Sequence, residues 1–520
     1  MSKLRPHILI NLPSYLWDIV RSWPFAILLA SYTFVLCFLR CFLLPSTPIL
    51  LWGDQVGFFD NGSRIVAGEL PYRDYFQIVP PGTDMMYAFL IRSFGLSMWI
   101  PNLVMACLAA LTALLITLAA ERVMRGPIIA LPGLLFTGFI LPGSFDGTHH
   151  WFSTVAVMGA MLVLMDGNAL PRVAAAGLLC GLASCFTQSK GVLAIAGFIT
   201  YLAYDAWRHN TLIRQRWRKG IILVGAAATI FALVNTYFVW AAGLRRWLFC
   251  VLVYPLRYYS AAPLNNWRIV IDDSQWRGSI ASLITLLFVY STIPAVYVLF
   301  LWLRKKGEKD DAASSSGLVL VLLTGAAMLL AVAASPSLKR LSTVSPPALI
   351  ILSWLLSRPS RFYVRLTALL TAASVALAFA IPLRVQTRWH AYLDLPSGRA
   401  ALLDPGLWEE YRWARDHTRP GQYFFGLSPL YAALRLRNPT PIEGLHPSEY
   451  TRPEQVTALV EGLERHHVPL LILRQSNNLL TSTRSPSDHL DPFRTYVFQN
   501  YMLIRTFATK DDVWQRIAAP

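Results

Sequence analysis

Charged side chains are scarce in this sequence. Asp, Glu, Lys and Arg make up 14% of its 520 residues, whereas a typical soluble domain carries about 25%. Hydrophobic residues reach 55% and the mean hydropathy is +0.45. So little polar surface excludes a cytosolic enzyme of this size, and so much apolar mass excludes a disordered chain. Cysteine is sparse too. Of Cys37, Cys41, Cys107, Cys180, Cys185 and Cys250, five lie in apolar runs and the sixth borders one, with no CxxC. That argues against a disulfide framework and a cysteine metal cluster. Acidic residues number 29 against 46 basic ones, a net charge of +17. In a soluble protein this balance would suggest nucleic acid. In a chain this apolar, basic residues are read instead as cytoplasmic flanks of membrane spans, with no nucleic-acid partner.

What the sequence does have is long apolar runs. A span needs roughly 20 mostly apolar residues. Eleven runs are read as spans: 24–44, 99–120, 127–142, 150–165, 172–188, 191–206, 220–241, 279–303, 317–334, 341–357 and 363–383. A further apolar helix at 84–95 is too brief to cross and is expected at the interface. The first run is read as an uncleaved anchor, because its charged leader is long and no small-residue cleavage site follows. With the N-terminus in the cytoplasm, the inner loops hold Arg122, Arg125, the cluster at 207–219, RKKGEK at 304–309, and Arg358, Arg361 and Arg365. This is the positive-inside pattern. The odd count then places the C-terminus outside, with loops 45–98, 143–149 and 242–278 and the turn around Lys190. The expected fold is an α-helical polytopic protein of the cytoplasmic (inner) membrane, with residues 384–520 forming a small soluble α/β domain on the outer face. There, 453–467 is predicted helical and VPLLILRQ at 468–475 a buried strand.

The first outer loop is dense in polar residues. Asp54 follows a glycine at the membrane edge, residues 56–67 read as a short amphipathic helix, and Pro80-Pro81-Gly82 stops the extended stretch that begins at Pro71. A carboxylate partly shielded from water can act as a general base toward an attacking hydroxyl; an isolated loop aspartate is more often a solvated acid or a helix cap.

The order Gly53-Asp54-Gln55, then Gly68-Glu69-Leu70-Pro71-Tyr72-Arg73-Asp74, then Pro80-Pro81-Gly82 resembles the first periplasmic loop of the GT-C superfamily. Its members include polyprenyl-phosphate-sugar-dependent glycosyltransferases of the lipid A aminoarabinose transferase and protein O-mannosyltransferase group. The resemblance covers the whole chain in layout and is specific over 52–95. It implies a transmembrane catalytic domain at 1–383, with Asp54 as base. Asp146, in LPGSFDGTHHW at 141–151, matches the family's second acid. Tyr72, Arg73 and Asp74 fall in the matching motif and are read as substrate-binding. Lys190, at the predicted outer end of the fifth span, matches a lysine that faces the donor phosphate in relatives; a snorkelling anchor is the plainer reading. Where some members carry a metal-holding Glu before Pro-Pro, this chain has Val79. No cofactor is therefore assigned, and a divalent metal remains open. Adjacent residues such as His149 and His150 cannot both point one way on a helix, so His149 is read as contacting substrate or headgroup. Arg257 and Tyr258 could clamp a phosphate or stack on a sugar, and Lys339-Arg340 is a weaker basic contact.

The reading is a membrane glycosyltransferase, taking a sugar from a polyprenyl-phosphate donor to a lipid, polysaccharide or protein acceptor in one inverting displacement. The alternatives are a flippase or transporter for lipid-linked glycans, which would place charges mid-membrane, and a non-catalytic scaffold, which needs no acid in the first loop.

Overall fold

The computed structural model describes residues 14–210, 212–262, 265–272, 280–305, 312–358, 360–483 and 485–517. The charged leader before residue 14, most of the basic turn at 304–309 and the end of the loop 242–278 lie outside them. The eleven apolar runs fall mainly on helix in the described residues, the first passing into a short strand at its end. Among the described residues, six helices are long and apolar enough to cross a membrane: Trp23–Cys41, Trp99–Val123, Pro127–Ser144, Trp217–Ala242, Leu287–Lys305 and Arg361–Thr387. Shorter apolar helices are His149–Met165, Leu170–Phe186, Ser316–Val332 and Pro346–Leu356.

Small residues let these helices approach closely. Trp99–Val123 buries Ala106, Ala109, Ala113, Ala119 and Ala120. Gly177 and Gly181 face the backbone of Leu223 and Ala227, where any Cβ would collide. This is the small-xxx-small contact of helices in lipid. The Pro127–Ser144 path is irregular, passing from 3-10 through α and π turns before a second 3-10 turn. Pro127, Pro132 and Pro142 interrupt its ladder.

The first outer loop holds two 13-residue helices, Asp54–Val66 and Gly82–Phe94, preceded by a two-residue pair, β1 (Phe42–Leu43) and β2 (Thr47–Pro48). The predicted outer loop after residue 242 is helical in its first part, through Leu244–Leu248 and Tyr254–Arg257.

The C-terminal part is α/β. An antiparallel hairpin, β3 (Ala391–Leu395) and β4 (Gly398–Leu402), leads to the helix Pro405–His417, whose first turn is capped by Asp404 accepting from the Leu407 N–H at 3.0 Å. A four-stranded sheet follows in the order β5 (Phe425–Gly426), β6 (Leu470–Arg474), β8 (Asp511–Arg516), β7 (Tyr501–Thr506). β5 and β6 are parallel and the other pairs antiparallel. The helix Pro453–Arg465 and strand β6 occupy the stretches the sequence pointed to. This layer does not stand apart, however. Phe59, Tyr87 and Ile91 of the first outer loop share one buried cluster with Tyr411, Phe424, Leu430 and Leu434, and the Leu50 N–H donates to the Ala401 carbonyl at 2.9 Å. An amphipathic helix has one apolar stripe to bury, and Asp54–Val66 buries its stripe here.

Candidate active site

Three segments predicted to lie outside meet at the start of the Asp54–Val66 helix. Gly53 precedes it at φ 100, a conformation glycine adopts without Cβ strain. A Cβ there would stand 2.9 Å from Asp146 Oδ2, so the glycine also makes room for that carboxylate. The backbone N–H of Gln55 donates to Asp146 Oδ1 at 3.0 Å; a carboxylate is favoured at a helix N-terminus. Gln55 Oε1 accepts from the Gly147 N–H at 2.9 Å, and the Tyr87 hydroxyl donates to the Gly147 carbonyl at 2.7 Å. The loop at 143–149 is thus bolted to both helices of the loop at 45–98.

Lys339 completes the constellation. It lies in the helix Leu338–Val344. Its ammonium donates to Asp54 Oδ2 at 2.9 Å and also to Asp146 Oδ2. The Asp54 side chain keeps 61% of its surface exposed but is crowded by protein atoms, while Asp146 is only 7% exposed. The surroundings separate the two carboxyls. At Asp54, burial among protein atoms works against charge, but the Lys339 charge and hydrogen bond outweigh it and hold the group below its ordinary range. At Asp146, burial dominates, Lys339 offsets it only partly, and the group is raised to about 6 with the Asp54 charge adding to the rise. Burial opposes the Lys339 charge, yet its two carboxylates hold its ammonium above the usual value. Paired acids pushed apart in this way divide roles, one ionised and one easily protonated.

Beside this cluster, Arg340 donates to the Tyr259 hydroxyl at 2.7 Å, to Asn265 Oδ1 at 3.2 Å and to the Ser335 carbonyl at 3.1 Å. Trp52, two residues before Asp54, lies under Arg474 of β6 with 5.4 Å between guanidinium and ring. The C-terminal sheet therefore reaches the acidic loop.

The structure brings together Asp54 and Asp146 and leaves other sequence-based candidates in different surroundings. Lys190 is not at an open helix end. Only Thr187 separates Leu170–Phe186 from Gln188–Arg208, and Gly191 packs against Ser184 and Cys180, drawing Lys190 inside. Fully buried, its ammonium donates to the His150 carbonyl, Thr154 and Thr343 at 2.9, 3.0 and 2.9 Å. Tyr72 is also buried, at φ 67, with its hydroxyl donating to the Val79 carbonyl at 2.6 Å. Asp74 accepts from the Leu70 N–H at 2.8 Å and from Arg73 at 2.7 Å. The Pro-Tyr-Arg-Asp stretch thus closes on itself. Arg257 lies 5.3 Å from the Tyr258 ring, and Arg452 covers the same ring at 4.4 Å; these residues line a separate cleft with Glu449 and His489. His149 meets Phe58 edge to face at 5.1 Å. Its ring stands 3.9 Å from that of His150, so the expectation that the two diverge is corrected: they sit in a first helical turn, after the extended residue Thr148.

Two participants carry little signal in the sequence. Gln55 reads in sequence as a departure from an acidic pair, yet it ties the loops together. Lys339 carried only the signal of a Lys-Arg pair in a short outer loop.

The metal position of some GT-C members does not fit here. The Val79 carbonyl is taken by Tyr72, Gln77 donates to Asp84 at 2.9 Å, and Asp74 is satisfied locally. Among the described residues, no group of three His, Cys, Asp or Glu side chains is arranged to hold a metal.

Fold and site together define a polytopic helical protein with paired aspartates where the 45–98 and 143–149 loops meet. Two solved structures share this fold. One is ArnT from Cupriavidus metallidurans bound to undecaprenyl phosphate, at 12% identity and a TM-score of 0.57, covering 97% of this chain and 99% of that one. The other is the arabinofuranosyltransferase AftD from Mycobacteria, at 14% identity and a TM-score of 0.50; 96% of this chain aligns with 40% of AftD. No protein-family model and no curated protein sequence matches the chain.

Proposed function

We propose that this chain is an integral membrane glycosyltransferase that takes a sugar from a polyprenyl-phosphate donor at the outer face of the cytoplasmic membrane, with eleven spans and its C-terminal layer outside. The observation that carries the reading is the Asp54–Lys339–Asp146 constellation at the junction of the first two outer loops, on a fold shared with ArnT in complex with undecaprenyl phosphate. Asp54 accepts the proton of the acceptor hydroxyl as its oxygen bonds to the anomeric carbon. The bond from that carbon to the phosphate oxygen breaks, and polyprenyl phosphate leaves with the electron pair. Lys339 faces both carboxylates in the resting site; a phosphate entering beside it draws the ammonium toward the growing negative charge and leaves Asp54 free to act. Asp146 holds Lys339 in position. Lys190 acts beneath the site by fixing His150, Thr154 and Thr343. Displacement from the side opposite the phosphate inverts the anomeric centre.

The test is turnover by the purified protein with synthetic polyprenyl-phosphate sugars and envelope lipid or glycan extracts. Acceptor-dependent release of free polyprenyl phosphate supports the reading. Movement of intact donor across a vesicle membrane without release would support a flippase instead.

A further inference from the structure

We infer that the cleft between the far end of the Asp54–Val66 helix and the C-terminal layer is a subsite for an acidic saccharide, the anionic portion of the acceptor glycan. The inference rests on the transferase reading above and gives its acceptor a chemical class. The cleft holds about 880 Å³, within the range of small-molecule sites. Six arginines line it: Arg64 and Arg73, Arg246 after the Trp217–Ala242 span, Arg435 and Arg437 after the helix Ser428–Leu434, and Arg465 at the end of Pro453–Arg465. Arg64 and Arg73 pair with Glu69 and Asp74 of the same lining; the other four are exposed, and none of them forms an ion pair among the described residues. With Glu461 the one further ionised acid of the lining, separate elements converge an excess of cations, which repel one another until an anion enters. Arg435 even occupies φ 52, where a helix usually ends in glycine.

Arg64, in the wall of the cleft, supplies the second observation. It is 7% exposed. Its Nε donates to Glu69 at 2.7 Å and its Nη2 to the Thr440 carbonyl at 3.4 Å, but Nη1 is buried without a partner. The guanidinium packs over the Tyr75 ring at 4.6 Å, and its charge adds to the positive field of the cleft. Asp60 beside it is pushed up to about 8, mainly by burial, and so cancels little of this positive charge near neutral pH. Tyr423 and His466 add a flat stacked pair, 3.9 Å between rings at 26°. Ser63, Asn438 and Glu461 add donors and acceptors. A polyol uses that mixture, whereas a bare headgroup phosphate would use the cations alone. Arg64 lies ten residues along the helix from Asp54, about 15 Å at 1.5 Å per residue. The acidic group is therefore gripped well away from the reacting hydroxyl.

The experiment titrates the full-length protein, in nanodiscs of zwitterionic lipid, with trigalacturonate and with neutral maltotriose by calorimetry. Trigalacturonate should bind, with affinity falling as salt rises, and maltotriose should bind at least about tenfold more weakly. The double substitution Arg435→Gln with Arg437→Gln should weaken trigalacturonate binding by about tenfold or more without moving the thermal midpoint. Equal affinity for both sugars would overturn the proposal, as would an unchanged affinity in a stably folded double variant. So would displacement of trigalacturonate by phosphatidylglycerol in the nanodisc, which would make the cleft a lipid-headgroup site. The Asp54→Asn variant separates the two readings: it should bind trigalacturonate normally. Full transfer by that variant would remove Asp54 as base while leaving the subsite standing.

Discussion

At the scale of single residues, the site works through the unequal surroundings of two aspartates that share one lysine. Lys339 holds Asp54 below its ordinary range, so Asp54 is ionised near neutral pH, and its proton affinity rises when Lys339 moves away. Lys339→Met removes that hold. The Asp54 carboxyl then rises, and the acidic limb of the rate profile should move to higher pH. Donor affinity should fall in the same variant, and Lys339→Arg should restore only part of both, because its planar fork demands a different geometry. A rate profile unmoved by Lys339→Met would separate the lysine from the chemistry. Gly53→Ala is a complementary test. It places a Cβ against the Asp146 carboxylate, on a backbone at φ 100, a strain of about 1–3 kcal/mol before any clash. Turnover should drop although the substitution adds only a methyl group.

At the scale of elements, Lys190 shows where sequence and structure part. The sequence located it next to a helix boundary, and a lysine there reads as headgroup-facing. Burial was decided by the one-residue turn at Thr187 and by contacts 40 and 153 residues away in the chain, to His150 and Thr343; no local pattern encodes these. Lys190→Met should therefore lower thermal stability, leaving three oxygen acceptors without their donor at about 1–3 kcal/mol each, and reduce activity in parallel. A normal melting profile with selectively weakened donor binding would return Lys190 to the phosphate. Legible from the start were features carried by local order: apolar runs, the Gly53-Asp54 start after the first span, and the strand at 470–474. The importance of Gln55 and Lys339 was not, because each is defined by a partner in a distant loop.

A second element-scale effect concerns the helix Asp54–Val66 and its docking on the C-terminal layer. Burial raises Asp60 and Glu443 to about 8 each and Asp84 to about 7, with Arg64 among them as partial counter-charge. The folded state thus keeps protons that the unfolded chain gives up near its ordinary carboxylate values of about 4. Stability from these groups is fully present at or below that value. It is lost as pH rises from about 4 through 8. Thermal midpoints measured across this window should decline toward the alkaline side, and Asp60→Asn with Glu443→Gln should flatten the decline. A stability that rose steadily over the same window in the wild-type chain would mean that these acids are ionised in the fold.

At the scale of the whole molecule, the C-terminal layer and the loop at 45–98 pack into one core. Their common core contains Phe59, Tyr87, Tyr411 and Phe424, so removing residues 389–520 should expose an apolar surface and prevent recovery of folded protein from the membrane. A reporter active only in the cytoplasm, fused after Pro520, should stay silent; a bright signal would reverse the orientation on which an outer-leaflet donor depends. The central claim is that Asp54 is the base of a sugar transfer from a polyprenyl phosphate. Its most direct test is the kinetics of purified Asp54→Asn with that donor. The substitution keeps the side chain's size and removes the basic oxygen, so turnover should fall by about a hundred- to ten-thousand-fold while donor binding stays near the wild-type value. Near-normal transfer by Asp54→Asn would contradict the account.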